Sequence, residues 1–272
     1  MGLVTIPRQQ SILFIGPPRA GKTVFFSTMV DRLIRQSMQD GTPLNCVPEG
    51  RHSHQFVQGV IKSLERQVWP KEGGATDADG KLVYSLTHKG VLYDTKYQLS
   101  CLDYAGETFN AAFGDPDLLE SEVDDEQVEE LKKQVNAANV VFIVVDAVRL
   151  HDGASAEIES SLFGVVEVLK KLKIWTALVL TQKDEFEGED YEEVVRQLKD
   201  LYPSFFAALK EMRAPTHWIS SVKAVTDNQG RRVPPKNYKT ESDSIALLEP
   251  VVWALSLPDS CKDADGSKGT TQ

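Results

Sequence analysis

Short apolar runs and longer stretches of helical spacing alternate along this chain. Continuous apolar runs predict strands that are buried on both faces, at 11–15, 140–145 and 175–180. Apolar residues that recur every three or four positions predict helices, at 24–38, 55–68, 122–137, 156–172 and 191–212. Pro203 is expected to break the last of these, because proline cannot donate a backbone hydrogen bond. This alternation predicts a three-layer α/β fold, a mostly parallel sheet with helices on both faces.

The segments between these elements predict one departure from parallel order. Runs at 82–87 and 91–102 flank His88-Lys89-Gly90 and predict a hairpin, which would add one antiparallel edge strand to the sheet. Turn-forming residues predict an irregular connection at 40–48 and a loop at 71–80.

The end of the chain predicts a short last strand at 217–220 and a closing helix at 244–255, which Pro250 would kink or start. No repeat or composition shift marks a second domain. We therefore predict a single domain over 1–257, with an insert at about 41–80 and a disordered tail at 258–272.

Composition narrows the functional classes. The formal net charge of −10, without a compensating basic run, predicts that the protein does not bind nucleic acid. Cys46, Cys101 and Cys261 lack metal-ligand spacing, which is typical of reduced thiols in a cytoplasmic protein. Residues 1–6 do not resemble the apolar region of a signal peptide, so we expect no leader, and no apolar run approaches the ~20 residues of a membrane span. We expect no direct membrane insertion.

The string Gly16-Pro17-Pro18-Arg19-Ala20-Gly21-Lys22-Thr23 lies between the first predicted strand and the first predicted helix. In that context it predicts a phosphate-binding loop, whose backbone N–H groups and helix end face a polyanion. Lys22 is expected to reach the β- and γ-phosphates, and the Thr23 hydroxyl to hold Mg²⁺. Gly16 supplies the tight turn, and the backbone contacts to phosphate are expected from Arg19, Ala20, Gly21, Lys22, Thr23 and Val24. The sequence therefore predicts a nucleoside triphosphate site.

Asp103-Tyr104-Ala105-Gly106-Glu107 follows the end of a predicted strand. An aspartate at a strand's carboxyl end, beside the phosphate loop, is suited to hold Mg²⁺ through a water. Gly106 lacks a Cβ, so its N–H can approach the γ-phosphate closely. A lone D-x-x-G string is common, and a simple turn is the alternative.

Thr181-Gln182-Lys183-Asp184 follows the strand at 175–180. A carboxylate there can accept hydrogen bonds from the N1–H and the exocyclic amine of guanine, whereas adenine would leave it unpaired. Ser221-Val222-Lys223 follows the last predicted strand, where backbone N–H groups would meet the guanine carbonyl. The alternative for Thr181 is a plain helix cap after a strand.

Together these motifs resemble the Ras-like GTPase superfamily within the translation-factor-related class, over roughly residues 10–256. The resemblance implies GTP or GDP with Mg²⁺, and a molecular switch that hydrolyses GTP. In that family the base-reading motif is N/T-K-x-D, followed by S-A-K. Here Gln182 replaces the lysine and Val222 replaces the alanine, so guanine remains the expected base and a weaker affinity is expected.

The family's effector-loop threonine, a ligand of Mg²⁺, has two candidates. Thr76 lies in the irregular loop before the hairpin, where that residue belongs, and is the preferred one. Thr87 lies within a predicted strand, where a structural role is expected.

Two residues set this chain apart from the family. Glu107 stands where a water-orienting glutamine is frequent, so it either accepts a proton from water or faces away and stabilises a helix start. Arg19 stands where guanylate-binding proteins and atlastins carry an arginine finger, which implies a possible nucleotide-dependent homodimer. The alternative for Arg19 is a solvated loop side chain.

A finer resemblance, to bacterial double-GTPase-type proteins, rests on Ala20 to Phe25, on Trp69-Pro70 with Thr76, and on Glu107 with Phe109. It implies a slow GTPase in a multi-protein defence or conflict system, with a protein effector or regulator as partner. The alternatives are a GTP-loaded scaffold with negligible hydrolysis and an ATP-using P-loop enzyme. The ATP-using enzyme is disfavoured because such an enzyme would need an arginine-rich lid, and the segment between Asp103 and Val140 contains acidic residues and two lysines.

Overall fold

The computed structural model of the protein describes residues 8–39, 41–70, 81–89, 94–102, 106–119, 123–237 and 246–258. Its strands are β1 (Arg8–Ile15), β2 (Leu44–Pro48), β3 (Lys81–His88), β4 (Thr95–Leu102), β5 (Val140–Asp146), β6 (Trp175–Thr181), β7 (Thr216–Trp218), β8 (Val225–Thr226) and β9 (Arg232–Val233). Its α-helices are α1 (Lys22–Ser37), α2 (Arg51–Glu65), α3 (Gly106–Phe113), α4 (Asp125–Ala137), α5 (Ala147–His151), α6 (Ala156–Leu172), α7 (Tyr191–Leu201), α8 (Pro203–Glu211) and α9 (Glu249–Leu255). Short 3₁₀ helices lie at Pro116–Leu118, Lys183–Phe186 and Ala246–Leu248.

A seven-stranded sheet, in the order β2-β3-β4-β1-β5-β6-β7, forms the centre of the fold. Parallel pairing joins β4 to β1, β1 to β5, β5 to β6 and β6 to β7. Only β3 runs the other way within this sheet, antiparallel to both β2 and β4. Two short strands, β8 and β9, form a separate antiparallel hairpin.

The two faces of the sheet carry separate apolar cores. On one face, residues of α1, α2 and α9 share one core with Ile12 and Phe14 of β1, and the Phe14 ring centroid lies within 5.7 Å of those of Phe25, Phe26 and Phe142. On the other face, Leu13 of β1 lies in a core built by α3 to α8. The central strands are buried on both sides, because helices cover both faces. The predicted α/β class and its three layers are confirmed.

Strong apolar periodicity predicted the long elements well. The predicted helix at 156–172 coincides with α6, and the predicted break at Pro203 separates α7 from α8. Pro250 lies in the first turn of α9, where its missing N–H is tolerated, so it starts the helix and does not kink it.

Several short elements were not predicted, the five-residue helix α5 among them. The prediction of an irregular connection at 40–48 was wrong, because residues 44–48 form strand β2. Only Cys46 of this strand is buried, so no apolar run marks it in the sequence. Because β2 pairs outside β3, the antiparallel strand lies one position inside the sheet and not at its edge. The eight-residue α3 and the two-residue strands of the β8–β9 hairpin are too short to give a periodic signal. The predicted tail lies outside the described residues after 258.

Candidate functional site

The candidate site lies where the carboxyl ends of the parallel strands meet. Gly16 directly follows β1, Asp146 ends β5, and Thr181 ends β6 opposite Asp146 in the strand register. Ser220 follows β7 by two residues. In an open α/β sheet this edge is where ligands bind. We call it the carboxyl edge.

The phosphate-loop string forms the turn between β1 and α1, as predicted. Gly16 has φ +155°, and a Cβ on it would lie 2.0 Å from the Val144 carbonyl oxygen, so β5 requires a glycine here. Gly21 has φ +77° and caps α1. The Lys22 Nζ donates to the carbonyls of Gly16 and Pro17 at 2.8 Å each, which holds the ammonium across the loop.

The start of α1 is rich in hydrogen-bond donors. The bond from the Phe25 N–H to the Gly21 carbonyl is 2.9 Å long, so the N–H groups before Phe25 precede the intrahelical ladder. The first turn has neither an acidic residue nor a side-chain cap. Thr23 and Val24 are half-buried in this turn, and Ala20 is buried beneath the loop. This donor set matches a phosphate group in chemistry.

Arg19 lies at the tip of the loop. Its side chain is exposed, and its backbone adopts the left-handed conformation, with φ +59°. An exposed guanidinium at this place is compatible with both readings of the residue, an arginine finger and a solvated loop side chain.

Thr181 links the end of β6 to the phosphate loop. Its side chain is 4% exposed, and its Oγ1 lies 3.0 Å from the Ala20 carbonyl oxygen and 3.2 Å from that of Val145. A Cβ on Gly21 would meet the same hydroxyl at 3.4 Å. Thr181 therefore contacts the loop backbone and acts neither as a helix cap nor as an exposed group.

Gln182 turns away from the position that the resemblance implies. Its backbone is left-handed, with φ +62°, and its Nε2 donates to Oδ2 of Asp146. The other Asp146 oxygen accepts from the N–H groups of Val148 and Arg149 at 2.9 and 3.1 Å and so caps α5. Burial raises the pKa of Asp146 despite these donors.

The helix that Asp146 caps also reaches the phosphate loop. Arg149 donates from Nη1 to the Pro18 carbonyl at 2.6 Å. Together, Asp146 and Arg149 connect the β6 end to the outer side of the loop. Sequence reasoning missed both residues; an aspartate that ends an apolar strand and is followed by a helix was the available signal.

Asp184 carries a buried carboxylate, with 7% of its side chain exposed. Its Oδ1 accepts from the Ser220 hydroxyl at 2.7 Å, and its Oδ2 accepts from the Ala224 N–H at 3.0 Å. The structure thus brings together the two predicted base-reading segments. The hydroxyl on Asp184 belongs to Ser220, a residue that sequence reasoning did not select.

The three residues selected after the last strand have other surroundings. The Ser221 hydroxyl is buried and makes no hydrogen bond to the described residues. Val222 is buried in the core, and Lys223 pairs with Glu187 at 2.8 Å. The backbone N–H groups of this segment remain the expected contact to a base.

Arg232, from the β8–β9 hairpin, also reaches Asp184. Its Nη2 lies 3.3 Å from Asp184 Oδ2 and pairs with the Glu185 carboxylate. The carbonyl of Arg232 accepts from the Trp69 Nε1 at 2.8 Å, and the Pro234 carbonyl accepts from the Gln67 Nε2 at 3.2 Å. The chain after α2 therefore holds the hairpin over Asp184.

The segment after β4 is partly described. Gly106 begins α3, and Glu107 is exposed in its first turn, where a negative side chain stabilises the helix start. Close packing fixes the other end of α3, since a Cβ on Gly164 of α6 would lie 1.9 Å from the Phe113 carbonyl oxygen. Thr87 lies in β3 and pairs with Lys96, as a structural residue would.

The structure describes one of the three predicted metal ligands. Asp103 and Thr76 lie outside the described residues, and Thr23 is in the first turn of α1. Within the described ranges, no cluster of three or more His, Cys, Asp or Glu residues could hold a metal ion. None of the described helices is long and apolar enough to cross a membrane.

Comparisons with known proteins add no relative. No model of a protein family matches the chain, and no curated protein matches it significantly.

Proposed function

We propose that this protein binds GTP and Mg²⁺ and hydrolyses GTP slowly as a molecular switch within a protein assembly. The observation that carries the proposal is the contact between Thr181 and the Ala20 carbonyl, at 3.0 Å. It joins a phosphate-loop turn to the strand end that precedes a buried carboxylate. A nucleotide would span these two parts, with its phosphates at α1 and its base toward Asp184.

The described residues of this loop and helix fit the phosphates and include one of the expected metal ligands. Lys22 and the N–H groups at the start of α1 would hold the β- and γ-phosphates. The Thr23 hydroxyl, with Asp103 and Thr76 as the other expected ligands, would hold Mg²⁺, which supplies charge neutralisation between the β- and γ-phosphates when bound. The Gly106 N–H and Arg19 would contact the transferring phosphoryl group.

Asp184 would read the base. A guanine offers N1–H and an amine to a carboxylate, whereas adenine offers no matching pair of donors. The Ser220 and Ala224 contacts hold the carboxylate in one orientation, in which guanine would gain two hydrogen bonds and adenine would gain none.

Nucleotide titration with GDP, GTP, ATP and xanthosine diphosphate tests the proposal. We expect GDP and GTP to bind and ATP to bind at least tenfold more weakly, as about 1.4 kcal/mol corresponds to tenfold. Asp184→Asn should move the preference toward the xanthine nucleotide, and Lys22→Ala should abolish binding of all four. Equal affinity for ATP and GTP would refute the guanine assignment.

A GTP-loaded scaffold with negligible turnover is the second candidate, and the position of Glu107 favours it. The exposed Glu107 carboxylate lies in the first turn of α3, where it stabilises the start of the helix. This placement gives it a role other than that of a glutamine that orients water. Single-turnover hydrolysis at rising protein concentration separates the two. A rate that rises with concentration and is lost in Arg19→Ala supports catalysis through a dimer, and an absent rate supports the scaffold.

A further inference from the structure

The carboxylate proposed to read the base already has a competing partner. Asp184 accepts from Ser220 on Oδ1, and from Ala224 and Arg232 on Oδ2. An ionised carboxylate has about four acceptor positions, so the described residues leave one of them open. A guanine brings two donors to this group. One of the present partners must therefore leave before both donors can bind.

Arg232 is the partner that can leave. The Ala224 donor is a backbone N–H, and Ser220 is buried, with 6% of its surface exposed. The Arg232 side chain is 44% exposed, and its contact to Asp184 is the longest of the three, at 3.3 Å. Its guanidinium also keeps Glu185 as a neighbour. Moving it to solvent therefore disturbs neither the sheet nor the apolar cores.

We infer that Arg232 is a specificity-determining residue that competes with the base for Asp184. The inference rests on the proposed function, because it concerns the same base site. With Arg232 in place, a base that lacks the two donors does not leave the carboxylate unpaired. Arg232 thus weakens guanine binding and also reduces the penalty against adenine.

The surrounding contacts set the strength of this competition. The Trp69 indole N–H donates to the Arg232 carbonyl, and Gln67 donates to the Pro234 carbonyl just after β9. Loss of the Trp69 donor would free the hairpin and let Arg232 leave more easily.

The test compares Arg232→Ala with Arg231→Ala. Arg231 lies beside it on the hairpin and pairs with Asp227 at 2.8 Å, so its loss removes the same charge without touching Asp184. We expect Arg232→Ala to bind GDP about two- to fivefold more tightly than wild type, because half-exposed ion pairs contribute about 1 kcal/mol or less. The ratio of GDP to ADP affinity should rise as well, while Arg231→Ala stays at the wild-type values.

Trp69→Phe provides a second variant that keeps the ring and removes the donor. It should tighten GDP binding in the same direction as Arg232→Ala, and by less. The inference would be overturned, and the proposed function left standing, if Arg232→Ala bound GDP as Arg231→Ala does or more weakly than wild type. If neither the wild type nor any variant bound GDP, the proposed function would be refuted, and the inference that rests on it would be refuted as well. Circular dichroism of each variant confirms that the fold is retained.

Discussion

Replacing Thr181 by valine tests whether this side chain positions the phosphate loop. The substitution keeps the shape of a side chain that is 4% exposed and removes a hydroxyl that lies between the Ala20 and Val145 carbonyls. A buried polar group left without its partner costs about 1–3 kcal/mol. We therefore expect the free energy of unfolding to fall by about 2 kcal/mol. The Ala20 carbonyl also loses its fixed position, so GDP affinity should fall by about tenfold.

Thr176→Val is the matched control on the same strand. Thr176 is 3% exposed, and its hydroxyl donates to the Ile174 carbonyl at 3.0 Å, far from the loop. It should lose comparable stability in urea unfolding and leave nucleotide affinity unchanged. If Thr181→Val bound GDP as tightly as Thr176→Val, the hydroxyl would be structural only and the positioning role would be refuted.

Two further predictions concern packing and pH. Gly164→Ala should lower the free energy of unfolding by about 3 kcal/mol, since its Cβ would meet the Phe113 carbonyl oxygen at 1.9 Å. Gly59→Ala, at an exposed position of α2, should raise it by about 1 kcal/mol. Urea unfolding checks both signs, and two losses would contradict the packing argument. Burial lowers the pKa of His217, which lies near Glu249, so the unfolded chain binds more protons below pH 6.5. Stability should therefore fall between about pH 7 and 5, and His217→Gln should fall less; equal losses would refute the titration.

Apolar periodicity predicted the parts of the fold that depend on one face of an element. The run that became β5 is buried on every residue, and α6 repeats its apolar positions over seventeen residues, so both were predicted nearly to the residue. The β2 strand has one buried residue and owes its place to pairing with β3. Pairing partners that lie about forty residues away leave no local pattern.

In the candidate site, too, the features with local requirements could be predicted, and those that depend on distant residues could not. The turn between β1 and α1 was predictable because its requirements are local: a position with no room for a Cβ at Gly16, and a helix start at Lys22. Ser220 was missed by one residue because the spacing of a motif does not say which hydroxyl a strand end will present. Arg232 lies 48 residues after Asp184, and only the tertiary fold brings them together.

The substitution at Gln182 has a physical cause in its neighbour. Asp146 is 6% exposed at the end of β5, and its carboxylate already faces the N–H groups that start α5. An amide donor from Gln182 satisfies the remaining oxygen without burying a second charge, whereas a lysine there would add the desolvation cost of an ammonium. The side chain that the resemblance places on the base is thereby held at the loop's supporting helix. Among the described side chains, base recognition would then depend on Asp184, so the proposed competition from Arg232 would act directly on guanine affinity.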